Sequence, residues 1–150
     1  MSRLSPHFTM TEFIKSQTAE RKGIENMPED KHVVAMMALC EKVLEPIREH
    51  FGKPIMVNSG YRSAALCRAI GSKSSSQHCK GQAADIEIPG VANAELAQYI
   101  ANSLDYDQLI LECFTGGNTG WIHCSYVPNG RKEELTYNRS QGYRKGLLEK

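Results

Sequence analysis

The run Gln108-Leu109-Ile110-Leu111-Glu112-Cys113-Phe114, the loop Thr115-Gly116-Gly117-Asn118-Thr119-Gly120 and the run Trp121-Ile122-His123-Cys124-Ser125-Tyr126 read as a β-hairpin. Apolar residues dominate both arms, and the glycines, Asn and Thr between them supply the backbone freedom a hairpin loop needs. With a four-residue loop at 116–119, Thr115 pairs with Gly120, Phe114 with Trp121, Cys113 with Ile122 and Glu112 with His123. Directly opposed residues share a face of the sheet. A slip of one residue would carry Glu112 to the other face.

Working outward, Asn93 is placed to cap a helix over 93–104 with Leu96, Ile100 and Leu104 on its inner side. Ala84-Asp85-Ile86-Glu87-Ile88 alternates at period two and closes at Pro89-Gly90, which marks a half-buried strand with Asp85 and Glu87 on one face. Pro54-Ile55-Met56-Val57-Asn58 reads as a short buried strand, 63–70 as a helix and 71–76 as a loop. Thr9 and Glu12 stand at capping-box spacing ahead of Phe13 and Ile14. A longer helix over 30–50 carries Val33, Val34, Met36, Met37, Cys40, Val43, Leu44 and Ile47 as its core face, with Pro46 expected to kink or end it. Helices first, then antiparallel strands with one inserted helix, predict an α+β fold. The expected architecture is a single domain, a small antiparallel sheet flanked by helices. Its core spans 4–126, with a loosely packed polar tail over 127–150.

Composition narrows the function. A chain of 150 residues with 41% apolar content buries one core without needing disulfide staples. Eighteen basic against 17 acidic residues leave a net charge of +1, so nothing calls for nucleic acid or an anionic membrane as partner. No stretch is apolar enough to span a bilayer, and a monomer is expected. The five cysteines are odd in number and form no Cys-x-x-Cys pair, which predicts reduced thiols and a cytoplasmic chain. The N-terminus shows no signal-peptide pattern.

Chemistry concentrates in Ser76-Gln77-His78-Cys79-Lys80-Gly81-Gln82-Ala83-Ala84-Asp85 and in His123. Two imidazoles and a carboxylate are the ligand set of a catalytic zinc site, which leaves the fourth position to water. Gly81 and the small pair Ala83-Ala84 let His78 and Asp85 reach one ion. Glu112 is then the candidate base for the metal-activated water, with Glu87 as its competitor. Arg62, in a turn before the ligand loop, is placed to polarise a carbonyl or clamp a carboxylate. His7 reads as an anchor for the N-terminal segment, and Cys79 and Cys124 as packing residues.

Ser76-x-His78-x-x-Gly81-x-Ala83-x-Asp85 followed by Trp121-x-His123 closely resembles the zinc D-alanyl-D-alanine carboxypeptidase family, which shares its fold with the Hedgehog signalling domain and includes phage endolysins. The resemblance extends through Leu4-Ser5-Pro6-His7-Phe8, Leu44-Glu45-Pro46-Ile47-Arg48 and Ser59-Gly60-Tyr61-Arg62-Ser63, and is greatest with the short phage branch. It implies zinc held by His78, Asp85 and His123, and Arg62 contacting substrate, with Ser76 and Gln82 expected to line the same pocket. The implied partner is a peptidoglycan stem peptide, cut as a D-Ala-D-Ala carboxypeptidase or an L-Ala-D-Glu-type endopeptidase. The implied setting is a lytic enzyme held in the cytoplasm until released to the cell wall. Several branches carry an acidic base three residues before the second ligand His, where this chain has Gly120; Cys67 stands where similar sequences have Asn. The alternative is a non-catalytic zinc-stabilised module that binds cell wall or a protein partner.

Overall fold

The computed structural model describes residues 3–73, 75–116 and 119–147. Strands β1 (Arg3–Ser5) and β2 (Phe8–Thr9) form a small antiparallel pair. Thr9 then caps α1 (Met10–Ile14), and Glu12 closes the capping box by accepting from the Thr9 amide at 2.8 Å. A second short helix, α2 (Gln17–Lys22), follows under a Ser16 cap.

The helical run expected over 30–50 has three parts: α3 (Asp30–Leu39), a π turn (Cys40–Leu44) and α4 (Glu45–Phe51). Pro46 has no N–H and its ring crowds the preceding turn, and the wider π turn just before it accommodates both effects. Met36, Leu39, Cys40, Val43, Leu44 and Ile47 are fully buried. Val34 and Met37 are 66% and 46% exposed, so they lie outside the core stripe. At about 100° per residue, adjacent positions cannot all face one way. The start of the chain is tied to this run, because Glu45 Oε2 accepts from Ser5 Oγ at 2.6 Å and from the His7 amide at 2.7 Å.

The main sheet contains β3 (Met56–Ser59), β4 (Ala83–Glu87), β5 (Gln108–Glu112), β6 (Trp121–Ser125), β7 (Glu133–Asn138) and β8 (Gly142–Lys145) in the order β3-β4-β6-β5-β7-β8. Every pairing is antiparallel except β5 with β7. Two expectations change. β3 is a half-exposed edge strand, and the tail is not loosely packed: from Glu133 on it widens the sheet by two strands. The inward positions of β7 are Glu134, Thr136 and Asn138, so no apolar alternation announces it.

Ala84 and Ile86 from β4, Leu109 and Leu111 from β5, and Ile122 and Cys124 from β6 pack with α3, the π turn, α4 and α6 (Asn93–Ser103) in one core. The opposite face of the same strands is left for the site. Among the described residues, no helix is long and apolar enough to cross a membrane.

Asp107, 5% exposed, fastens the tail. Its Oδ1 accepts from Arg131 N and Nε, both at 3.0 Å, and its Oδ2 accepts from Arg131 Nη2 and Gln77 Nε2, both at 2.9 Å. The Arg131 guanidinium, outweighing the burial penalty, holds the Asp107 carboxyl down at about 2. The folded value lies below the unfolded value of about 3.9, so the stabilisation is complete above that pH and is lost as pH falls toward about 2. In urea unfolding, the stability advantage of the native chain over Asp107→Asn is therefore expected to shrink steadily across that window and to be constant above it.

Candidate active site

His78 sits in a single 3-10 turn (Gln77–Lys80) between Ser76, whose Oγ accepts from the His78 amide at 3.2 Å, and Gly81. Gly81 has φ of +75°, and a Cβ there would overlap the His32 carbonyl oxygen, so only glycine lets the chain pass from this turn into β4. The His78 Nδ1–H donates to the Gly60 carbonyl at 2.8 Å, which leaves Nε2 as the free nitrogen. Asp85 on β4 and His123 on β6 are directly paired across the sheet, with Nδ1 of His123 facing the carboxylate.

Asp85 Oδ1 lies 3.4 Å from His78 Nε2 and 3.2 Å from His123 Nδ1, and one ligand atom from each residue falls within 4.8 Å of the others. Tetrahedral ligands about 2.0 Å from an ion stand roughly 3.3 Å apart, so this donor set fits zinc and keeps one position free of protein. The three residues are 5–9% exposed. Burial opposes ionisation of Asp85, but the hydrogen bonds and charges of His123 and His78 outweigh it and hold the carboxyl well below its usual range. The Arg62 guanidinium adds a contact, Nη2 standing 3.8 Å from Asp85 Oδ2 while donating to Ser59 Oγ at 3.0 Å.

The hairpin register differs from expectation by two residues. Glu112 pairs with Trp121, and Ile110 with His123. A slip of two preserves the face, so Glu112 still opens onto the same cleft as His78, Asp85 and His123. The slip arises because Cys113 takes a left-handed φ of +50° and ends β5 before Phe114; Gly117 and Asn118, part of the loop expected at 116–119, lie outside the described residues. Burial raises the Glu112 carboxyl above its ordinary range; His123 opposes this and the Asp85 charge reinforces it. Gly120 has φ of +72°, and a Cβ there would overlap the Glu112 carbonyl oxygen, so no acidic side chain fits where related sequences carry one. Asn93 is not the helix cap: it is buried, and its amide donates to the Thr119 and Gly120 carbonyls at 3.1 and 3.0 Å, holding the turn into β6.

The other expected residues divide. Arg62 and Ser76 line the cleft. Gln82 is not among the lining residues; its amide oxygen accepts from Gln77 at 3.4 Å, on the segment that supports His78. Glu87 is also outside the lining and accepts from Asn58 at 2.8 Å, which leaves Glu112, among the described residues, as the lining acid beside Asp85. Cys124 is fully buried among core residues, as read. Cys79 is not a packing thiol: it forms a disulfide with Cys67 of α5 (Ala64–Ala69), which corrects the expectation of five reduced cysteines. Their spacing of 12 carries no pairing signature, and only the fold brings α5 to the ligand turn, where the Arg62 amide donates to the His78 carbonyl at 3.1 Å. Tyr143 on β8 also lines the cleft, from a strand that the sequence pattern conceals.

A family model described as Peptidase M15 matches residues 6–125 of this arrangement. The chain belongs to the M15 peptidase family. None of the curated proteins compared with it matches significantly. As an M15 peptidase it is a hydrolase of a zinc-dependent family that acts on peptidoglycan, and the convergence of His78, Asp85 and His123 agrees with that ligand requirement.

The purified M15 chain is expected to carry about one zinc by elemental analysis, and His78→Ala, Asp85→Ala and His123→Ala each to fall well below one equivalent. Gly120→Ala is expected to cost roughly 2 kcal/mol or more in denaturant unfolding, because the added Cβ meets backbone at a left-handed φ.

Proposed function

We propose that the chain hydrolyses a peptide bond in peptidoglycan stem peptides, with Glu112 as the proton carrier and Arg62 on the scissile carbonyl. The observation that carries this reading is one cleft holding both the three-ligand set and a desolvated carboxyl free of any protein ligand role. Zinc in such a site supplies Lewis acidity and brings the pKa of water to roughly 7. Glu112 takes the proton of the attacking water on its carboxylate, and its raised proton affinity suits it to pass that proton to the departing amine. Arg62, steadied by Ser59, offers guanidinium N–H groups to the carbonyl oxygen as negative charge develops there. The Gly60 carbonyl keeps the His78 ring from rotating, and the disulfide ties the same turn to α5.

Arg62 also borders a neighbouring cavity with Lys15, Asn58 and Ser59, so space continues past the ligands on that side, while Tyr143 stands on the other. Room on the Arg62 side suits a long acyl portion of the stem peptide, which substrates of an L-Ala-D-Glu-type endopeptidase and of a D-Ala-D-Ala carboxypeptidase both present. The role we assign is that of a bacteriolytic, endolysin-type enzyme that stays in the cytoplasm until released to the wall, a reading supported by the likeness to the short phage branch.

Purified peptidoglycan treated with the zinc-loaded protein is expected to release new amino groups, and chelated protein to release none. Glu112→Gln should keep its zinc and lose roughly 10²–10⁴ in kcat. Full activity in that variant would remove Glu112 from the mechanism, whereas a native protein that binds the wall without releasing amino groups would favour a non-catalytic binding module. Mass spectrometry of the released fragments identifies the bond.

A further inference from the structure

The family match ends at residue 125, but the cleft does not. Among the described residues that line it, Tyr143 alone comes from beyond that point. It is 60% exposed and stands on β8, an edge strand of the main sheet. Its ring rests on Tyr137, its direct partner across β7 and β8, with centroids 4.6 Å apart and planes at 44°. Two rings packed in this way restrict each other's rotamers, so the exposed face of Tyr143 is held in place rather than free to sweep.

The topology fixes where that face stands. Thr136 pairs with Leu111, which puts Tyr137 beside Glu112 on the open side of the sheet and Tyr143 one strand farther out. Strands lie about 4.8 Å apart, so the Tyr143 backbone is roughly 10 Å from that of Glu112. An extended peptide advances about 3.4 Å per residue, and a tyrosine ring covers part of the gap, so the phenol meets a substrate residue one or two places from the reacting bond. Arg62 and Asp85 occupy the opposite end of the cleft. Since Glu112 delivers the proton to the departing amine, its side of the cleft is the leaving-group side.

We propose that Tyr143 is a substrate-contacting residue that forms the leaving-group wall of the cleft, packing its ring against the peptide backbone beyond the cut bond and donating its phenolic hydroxyl to a carbonyl or carboxylate there. The inference rests on the peptidase reading above and deepens it: the C-terminal strand pair is a specificity element. It assigns the chain a substrate with at least one ordered residue after the bond, gripped by an aromatic face and one hydrogen-bond donor.

Trp121 is the only tryptophan in the chain and lines the same cleft, so its fluorescence reports occupancy independently of turnover. Zinc-loaded native protein, Tyr143→Ala and Tyr143→Phe are compared in kcat and KM on soluble stem-peptide fragments. Binding of the uncut fragment is titrated through Trp121 in the Glu112→Gln background. Tyr143→Ala is expected to raise KM and the fluorescence Kd about tenfold with kcat within about twofold, and Tyr143→Phe to recover most of the loss because the ring remains. If Tyr143→Ala is too unstable to assay, Tyr143→Phe and Tyr143→Leu decide the matter: Leu must bind less tightly than Phe. Active native enzyme with unchanged KM and Kd in the Ala or Leu variant overturns the role of Tyr143 alone. Native protein that neither cuts nor binds the fragment overturns the peptidase reading and this inference together.

Discussion

Strands β4, β6 and β5 send successive side chains to opposite sides, and the two-residue period of that alternation separates the core from the chemistry. On one side Ala84, Ile86, Leu109, Leu111, Ile122 and Cys124 close against the helices. On the other, Asp85, His123 and Glu112 stand in neighbouring strands, within reach of one another because paired Cβ atoms are only about 5 Å apart. The backbone that fills the core thus also sets the spacing of the ligands, and a loss of register would damage both together.

Asp85 is a buried carboxylate whose charge must be met from within the fold. A carboxylate with so little solvent is tolerated only because His78, His123 and Arg62 surround it, and two of those partners come from outside its strand pair. His78 is delivered by a turn of four residues and would be free to swing without its Gly60 contact, the Cys67–Cys79 disulfide and the Gln77–Asp107 hydrogen bond. The ligand turn is therefore held from three directions, while Asp85 and His123 are held by the sheet itself.

Gln77 also links the tail to the site. Arg131 grips Asp107, Asp107 accepts from Gln77, and Gln77 precedes the ligand His78. The segment that carries Tyr143 into the cleft is thus bonded, through one buried carboxylate, to the turn that carries His78, and the C-terminal strands are continuous with the face that bears the candidate site.

How much of this was legible beforehand depended on the distance over which each signal acts. The capping box at Thr9 and Glu12, the strand around Asp85 and the helix over 93–104 are written in short spacings that local periodicity suffices to read, and the trio His78, Asp85 and His123 is carried by the chemistry of its motif residues. The face on which Glu112 lies was legible too, since a slip of two leaves faces unchanged, but its partner was not, because the left-handed turn at Cys113 depends on the folded hairpin. The Cys67–Cys79 bond, the removal of Glu87 from the cleft, the buried role of Asn93 and the parallel pairing of β7 with β5 rest on contacts between different elements of the fold or on strands whose inward residues are polar. The sequence by itself determined which side chains can bind a metal and which strand faces are apolar, because those are properties of residue type and short spacing. Tertiary structure alone decided which acid shares the cleft and which distant strand completes its wall, because only packing brings such segments into contact.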